Sequence, residues 1–331
     1  MKFNGLFKLE SIAFHGAGES RETTSLFRSN MKTLPNGEEI RVHNFSSATV
    51  RSAFRRACFY DLLRRLDLDI SELPTMNHIV MFSGGPRLES SEVTVRLNFL
   101  RELFKWLPGM QLFGGTTKFN MIQSVLQVYS LDALLPRYVE NFIIPGAVVE
   151  AFGIDKGSLA ENVKEIQFNT KRDIRELPDE ILKKKVGELT EAEKAEFLQC
   201  FDDEETYFQV IENPDRKNTT LANMFSIEVL KAGTLLGHWL IIENTGDKQQ
   251  DEMLKSCLAA LLKYFKEEMP YFGGKKSNGM GLVTFDYKPD LTDCSLYAEF
   301  VEQNKERIRT IVLDPELFNK YDVVLKYQEQ N

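Results

Sequence analysis

The sequence predicts an α+β fold of ferredoxin-like type, and three observations predict it. The first seventy residues read as strand, polar loop, helix. Residues 224–287 read as two strands, a helix, a glycine-rich turn and a further strand, repeating the first order in outline. The helices space their apolar residues by three and four, as helices packed on antiparallel strands do.

Each element follows from its local pattern. FNGLFKLESIAFHG alternates loosely and predicts a strand over Leu6–Phe14. The polar stretch after it holds the turn Asn36-Gly37 between Thr33-Leu34 and Ile40-Arg41-Val42, which predicts a hairpin or extended loop. NFSSATVRSAFRRACFYDLLRRLDLDI opens with cap-type Ser46 and Ser47. It continues through Val50, Phe54, Ala57, Cys58 and Leu62, the spacing of a helix. SSEVTVRLNFLRELFKWL predicts a strand passing into a helix that ends at Pro108-Gly109, and Gly114-Gly115 is a place where backbone can approach a ligand closely. KFNMIQSVLQVYSLDALLP fits a strand or a helix equally, and residues 142–149 are apolar around Pro145-Gly146.

The texture changes between Asp155 and Asp215. Lys171-Arg172 and Lys183-Lys184-Lys185 face the acidic run Asp202-Asp203-Glu204-Glu205, and Thr190-x-x-Glu193 has the form of a capping box. This reads as a charged insertion projecting from a core. FSIEVLKAGTLLGHWLIIEN then gives two strands joined at Ala232-Gly233-Thr234. DEMLKSCLAALLKYFKEEM gives a helix with Met253, Cys257, Leu261 and Tyr264 on one side, and Leu282–Tyr287 is a strand.

Composition bounds the function. A chain of 331 residues that is 43% apolar and 27% charged suits one large domain or two modest ones. No apolar run has transmembrane length and no basic-then-apolar leader is found, so the expectation is a cytoplasmic protein without membrane partners. The cysteines at 58, 200, 257 and 294 have no metal-ligand spacing, and a reducing compartment fits them. A net charge of −8 argues against a protein that collects nucleic acid by its global field, while leaving room for a local positive groove.

Two stretches supply candidates for such a groove. The helix carries Arg51, Arg55, Arg56, Arg64 and Arg65 against Asp61 alone, with Arg51 and Arg55 one turn apart. Ser46 and Ser47 lie where a helix end presents free N–H groups, and Arg51 follows within a turn, a combination suited to phosphate. A solvated face with stems over the core accounts for the same arginines. The second stretch is FGGKKSNGMG. Gly273, Gly274, Lys275, Lys276 and Ser277 make a flexible cationic loop, although Met269 replaces the first glycine of a Walker A motif and the loop follows a helix instead of preceding one. The lysine pair suits phosphate contact without base reading.

SSATVRSAFRRA, LFGG, FSIEVLKAGTLLG and YFGGKKSNGMGLVTF together resemble the repeat-associated mysterious protein (RAMP) superfamily of CRISPR systems. Within it they resemble the repeated backbone subunit of multisubunit effector complexes, most of all the type IV form. The resemblance implies an RNA-recognition-like core with inserted finger and thumb regions in a single domain over 1–331. It implies a helical or mixed insertion at about 72–154, a thumb-like insertion at about 155–223, and a return to the core over 224–331. It also implies a guide-binding surface of Ser47, Arg51, Arg55, Lys275 and Lys276 with the glycines and Ser277 of the loop, and a thumb bearing Lys171 and Arg172. The implied partners are CRISPR RNA, complementary target DNA or RNA, neighbouring copies of the chain and other effector subunits.

No catalytic, metal or cofactor site is expected. His15, His43, His78 and His238 have no metal-ligand spacing, and no G-x-S-x-G elbow is present. Glu19 and Glu22, in the polar loop after the first strand, are the acids nearest in place to the catalytic acids of related type III subunits. An enzyme, either a guide-directed target ribonuclease or an endonuclease that processes CRISPR RNA, is therefore the alternative to a non-catalytic RNA-binding assembly subunit.

Overall fold

In a computed structural model of the chain, the structure describes residues 1–21, 24–86, 97–117, 121–170 and 224–318, with positions 190 and 192. The expectations placed on Glu22, Lys171, Arg172, Lys183-Lys184-Lys185, Glu193 and Asp202–Glu205 lie outside the described residues. The chain divides into two units, residues 1–17, 27–165 and 229–331 forming the first and residues 18–26 and 166–228 the second.

The first unit is built on β1 (Lys2–Leu9), β4 (Ser29–Thr33), β5 (Glu39–Phe45), β8 (Leu126–Val128), β9 (Leu131–Ala133), β12 (Leu235–Ile242) and β13 (Val283–Lys288). Their order across the sheet is β13-β1-β12-β9-β5-β4, with β8 also on β12. Taking β1, α1 (Ser47–Arg65), β9, β12, α7 (Lys248–Glu268) and β13 in chain order gives the split βαββαβ of a ferredoxin-like fold. Both central strands are flanked by antiparallel neighbours. The α+β expectation holds.

Alternation decides the faces. Phe3, Phe7 and Leu9 of β1 and Leu236, His238 and Leu240 of β12 turn toward α1 and α7. There Phe7, Phe54, Phe265, Phe272 and Phe285 pack ring on ring. Residues one position along point to the other face, where α5 (Pro136–Asn141) and α6 (Ile143–Phe152) follow β9. Leu134, Val139, Val148 and Val149 form a second apolar cluster there against Leu6, Leu235 and Trp239. α1 is capped by Ser46, whose hydroxyl accepts from Thr49 N at 3.3 Å, and α7 by Asp247, which accepts from Gln249 N at 2.9 Å.

The core holds one fully buried imidazole. His238 Nε2 lies 3.0 Å from the Tyr129 carbonyl, which can only accept, so Nε2 carries the proton and Nδ1 accepts from the Tyr287 hydroxyl at 2.8 Å. Burial lowers its pKa to about 3, and the ring is neutral at physiological pH. Cys58 and Cys257 are buried free thiols 4.0 Å apart between α1 and α7.

Several elements differ from the sequence reading. The first strand covers Lys2–Leu9 and not Leu6–Phe14, because the chain turns at Glu10-Ser11 to satisfy backbone elsewhere. Glu10 N donates to Leu282 O, and Ala13 bridges Leu230. The ambiguous stretch is strand, in three short pieces: β7 (Met121–Ile122), β8 and β9. β9 lies within the 72–154 stretch expected as an insertion, yet it pairs in the core sheet with β12 and β5. The same stretch also contains α2 (Thr75–His78), α3 (Leu97–Trp106), α4 (Pro108–Phe113) and β6 (Gly115–Thr116). α3 ends at Trp106, just before Pro108-Gly109 as expected, and Pro108 then takes the first helical position of a further helix, α4, where no N–H is required. Two further helices, α8 (Ser295–Gln303) and α9 (Lys305–Leu313), follow β13.

The second unit is organised by a four-stranded sheet in the order β10 (Lys164–Thr170), β11 (Met224–Leu230), β3 (Thr24–Phe27), β2 (Gly16–Arg21). β11 and β3 are parallel, with Ser226 opposite Thr24 and their hydroxyls hydrogen-bonded. The strands β11 and β12, joined at Ala232-Gly233, therefore belong to different sheets.

Candidate nucleic-acid interface

The glycine-rich loop is anchored from below. Gly274 N donates to Phe14 O at 2.8 Å, and the loop's return is held by Phe272 N donating to Gly281 O at 2.9 Å. Gly273 has φ +86°, and a Cβ there would stand 2.2 Å from the Phe14 carbonyl oxygen. Only glycine permits that approach, so the loop's glycines fix its path over Phe14 and Phe45. Lys275 is left-handed at φ +56°, which raises the next residues into a short turn over Lys276–Asn278. The Lys275 ammonium lies 5.8 Å from the centre of the Phe14 ring. Ser277 is exposed and its hydroxyl reaches Asn278 Oδ1 at 3.3 Å.

Lys276 has a cationic neighbour. Burial, and then the charge of Arg56, hold the Lys276 ammonium below the ordinary lysine pKa. The Arg56 Nε is buried without a hydrogen-bond partner, and among the described residues neither cation forms an ion pair with a carboxylate. Arg28 is a neighbour of His15. Its N–H donates to His15 O, and burial, then the Arg28 charge, depress the His15 imidazole, which stacks on Phe45 at 5.5 Å. Lys275, Lys276 and Arg56 thus form a basic arc along Phe14 and the loop, and Arg28 lies beside His15, the residue after Phe14.

The other expected cations go elsewhere. Arg55 is 7% exposed, and its guanidinium donates to the Phe113 carbonyl at 2.8 Å and the Gly114 carbonyl at 3.0 Å. Arg51 is half-buried and donates to Phe113 O and, at 2.8 Å, to Leu126 O. Both satisfy orphan carbonyls at the C-terminal end of α4, where the helix dipole also favours positive charge. Burial and the neighbouring Arg51 charge lower Arg55 to about 10, which leaves it charged. The expectation of Arg55 as a surface phosphate ligand is corrected by this burial, because its donors serve the fold. Ser47 is exposed and, with Arg51, Ser124, Gln127 and Tyr129, lines a shallow cleft of about 480 Å³. The predicted residues therefore fall in two places, Ser47 with Arg51 and the loop with Arg56. Arg64 and Arg65 both close on the buried Asp61, at 2.8 and 2.7 Å.

Arg56 is the residue the sequence reading passed over. Thr49, Ser52, Arg56 and Tyr60 form one three- and four-residue row beside the apolar stripe, and none of them is fully buried. That row is the available signal. Glu19 lies in β2, and among the described residues no cluster of three His, Cys, Asp or Glu side chains is placed to hold a metal. No helix among the described residues is long and apolar enough to cross a membrane.

No family model matches the chain, and no curated protein matches it. Among solved structures, the chain is similar to one described as a Type IV-B CRISPR complex. The TM-score is 0.48 and the identity 15%, over 87% of this chain and 91% of that one. Likeness at that level does not extend to function, which rests here on the basic arc.

Proposed function

We propose that the chain is a non-catalytic, CRISPR RNA-binding backbone subunit of RAMP type, most like the type IV form. In this reading it repeats along a guide RNA and supports recognition of a complementary strand together with other effector subunits. The observation that carries it is the glycine-built loop that sets exposed Lys276 and its like-charged neighbour Arg56 side by side, with no ion pair to a carboxylate for either among the described residues. Two like charges held together by a folded loop and a helix are unfavourable unless an anion joins them, and a phosphodiester is the anion that repeats along a polymer. The loop motif and the serine-led arginine helix, which carry the resemblance to the superfamily, support the same reading. A glycine-built loop and a helix row contact the backbone rather than base edges, so binding is expected to tolerate any guide sequence.

Filter binding over a salt series tests this with the R56A/K276A double variant. Affinity is expected to fall equally for unrelated guide sequences, and the slope of log affinity against log salt to shrink by about 1.4, two single-strand contacts. Several copies per guide are expected in native mass spectra, rising in number with guide length. Unchanged affinity and slope in the folded variant would sink the surface, and a fixed one-to-one complex at every length would sink the repeated-subunit role.

A further inference from the structure

The sheet face opposite α1 and α7 carries a row that the basic arc does not use. Lys288 pairs with Asn4 across β13 and β1, Asn4 pairs with Trp239 across β1 and β12, and Tyr129 N donates to Trp239 O at 3.1 Å. Antiparallel register puts partners on one face, so an ammonium, an amide, an indole and a phenol stand side by side over four strand positions. The next row reads Lys2, Ile241 and Gln127.

Three features set this row apart from a packed sheet face. Cluster packing on α6 leaves Trp239 half-buried, and Lys2 Nζ, an exposed and flexible cation, covers the indole at 3.2 Å from its centre. Tyr129 meets the indole edge-on, ring centres 5.9 Å apart, and is itself half-buried. The indole N–H of Trp239 and the side-chain carbonyl of Asn4, both buried beneath the row, are without a partner although they sit on register-paired residues. Unpaired polar atoms burden the folded state, and two on one row mark it as incomplete.

We infer that this row is a stacking site for a base of single-stranded nucleic acid, with Trp239 as the platform. Lys2 swings off the ring as the base arrives and stays close enough to meet the adjoining phosphate, and Lys288, whose ammonium donates to Ala151 O at 2.9 Å, adds positive charge at the far end. Aromatic platforms beside cations hold single strands without reading sequence. Gln127 and Tyr129 also border the cleft of Ser47 and Arg51, so one end of the row adjoins that cleft. The occupant is a single strand rather than a duplex, because stacking on one ring face requires an unpaired base. This surface goes beyond the function proposed above and lies on the other face of the sheet from the arc.

The chain has two tryptophans, so W106F leaves Trp239 as the only indole reporter. A labelled short oligouridine is titrated into W106F, with anisotropy and indole emission read in the same cuvette. Quenching along the anisotropy isotherm is expected, with about tenfold weaker binding in W106F/Y129A. K2E, which takes the ammonium off the indole face and reverses the charge there, is a second variant expected to weaken binding. The titration is repeated with R56A/K276A added to W106F. Quenching that persists there supports the stacking site independently of the arc. Anisotropy that rises while Trp239 emission stays flat overturns the stacking site and leaves the arc standing. No rise in W106F itself overturns both.

Discussion

Arg55 and Arg56 are adjacent in sequence and have opposite fates. A helix turns about 100° per residue, so one guanidinium lies under α4 and the other beside the glycine-rich loop. Arg55 reaches carbonyl oxygens of Phe113 and Gly114. Arg56 has a like-charged neighbour and an unpartnered Nε. The difference teaches that a cation's availability is decided by what its donors already hold, not by its count in a basic stretch. Arg51 stands between the two cases, with its guanidinium occupied and its body on an open cleft.

The comparison breaks most visibly in stability. R55A should cost about 3 kcal/mol in urea unfolding, since it strands carbonyls in a buried site, while R56A should stay within about 0.5 kcal/mol of wild type. Equal losses in the two variants would mean the contrast is not energetic. His238 is a second group with every polar atom satisfied, and it extends the contrast to pH. Its folded pKa of about 3 lies below the unfolded value, so the stability it contributes is present above about pH 6.5 and is lost as pH falls toward 3. Between pH 7 and 4.5 the loss should reach about 2.5 kcal/mol. H238Q should be less stable at pH 7 but flatter over that window, and a parallel acid profile for the two proteins would remove His238 as the cause. The smallest effect concerns Lys275, held at φ +56°. K275G should raise stability by about 1 kcal/mol in the same denaturation assay while weakening RNA binding. A destabilised K275G would show that the lysine's contacts, and not its backbone conformation, hold the turn.

What the sequence made legible was local. The Ser46 cap, the Asn36-Gly37 hairpin turn, the alternation of β13 and the apolar stripe of α7 are written in neighbouring residues, and each forms where it was expected. The loop's glycines were legible as a close approach, although not as an approach to Phe14 O. Partner choice was not legible. β11 and β12 read as one strand pair, yet they enter different sheets, because sheet partners are set by distant alternation. The division of the arginine helix into α4-facing and loop-facing rows likewise depended on α4, a second helix that Pro108 starts directly after the expected stop of α3. The Asn4–Trp239–Tyr129 row needed register, which a single strand's pattern does not carry.

β10 and β11 are neighbours in one sheet, and residues 171–223 run between their ends. Holding the two ends together carries a closure cost that grows slowly with the length between them, each doubling adding only about 0.6 kcal/mol. The paired ends of β10 and β11 thereby act as a socket for chain, where length is a cheap variable.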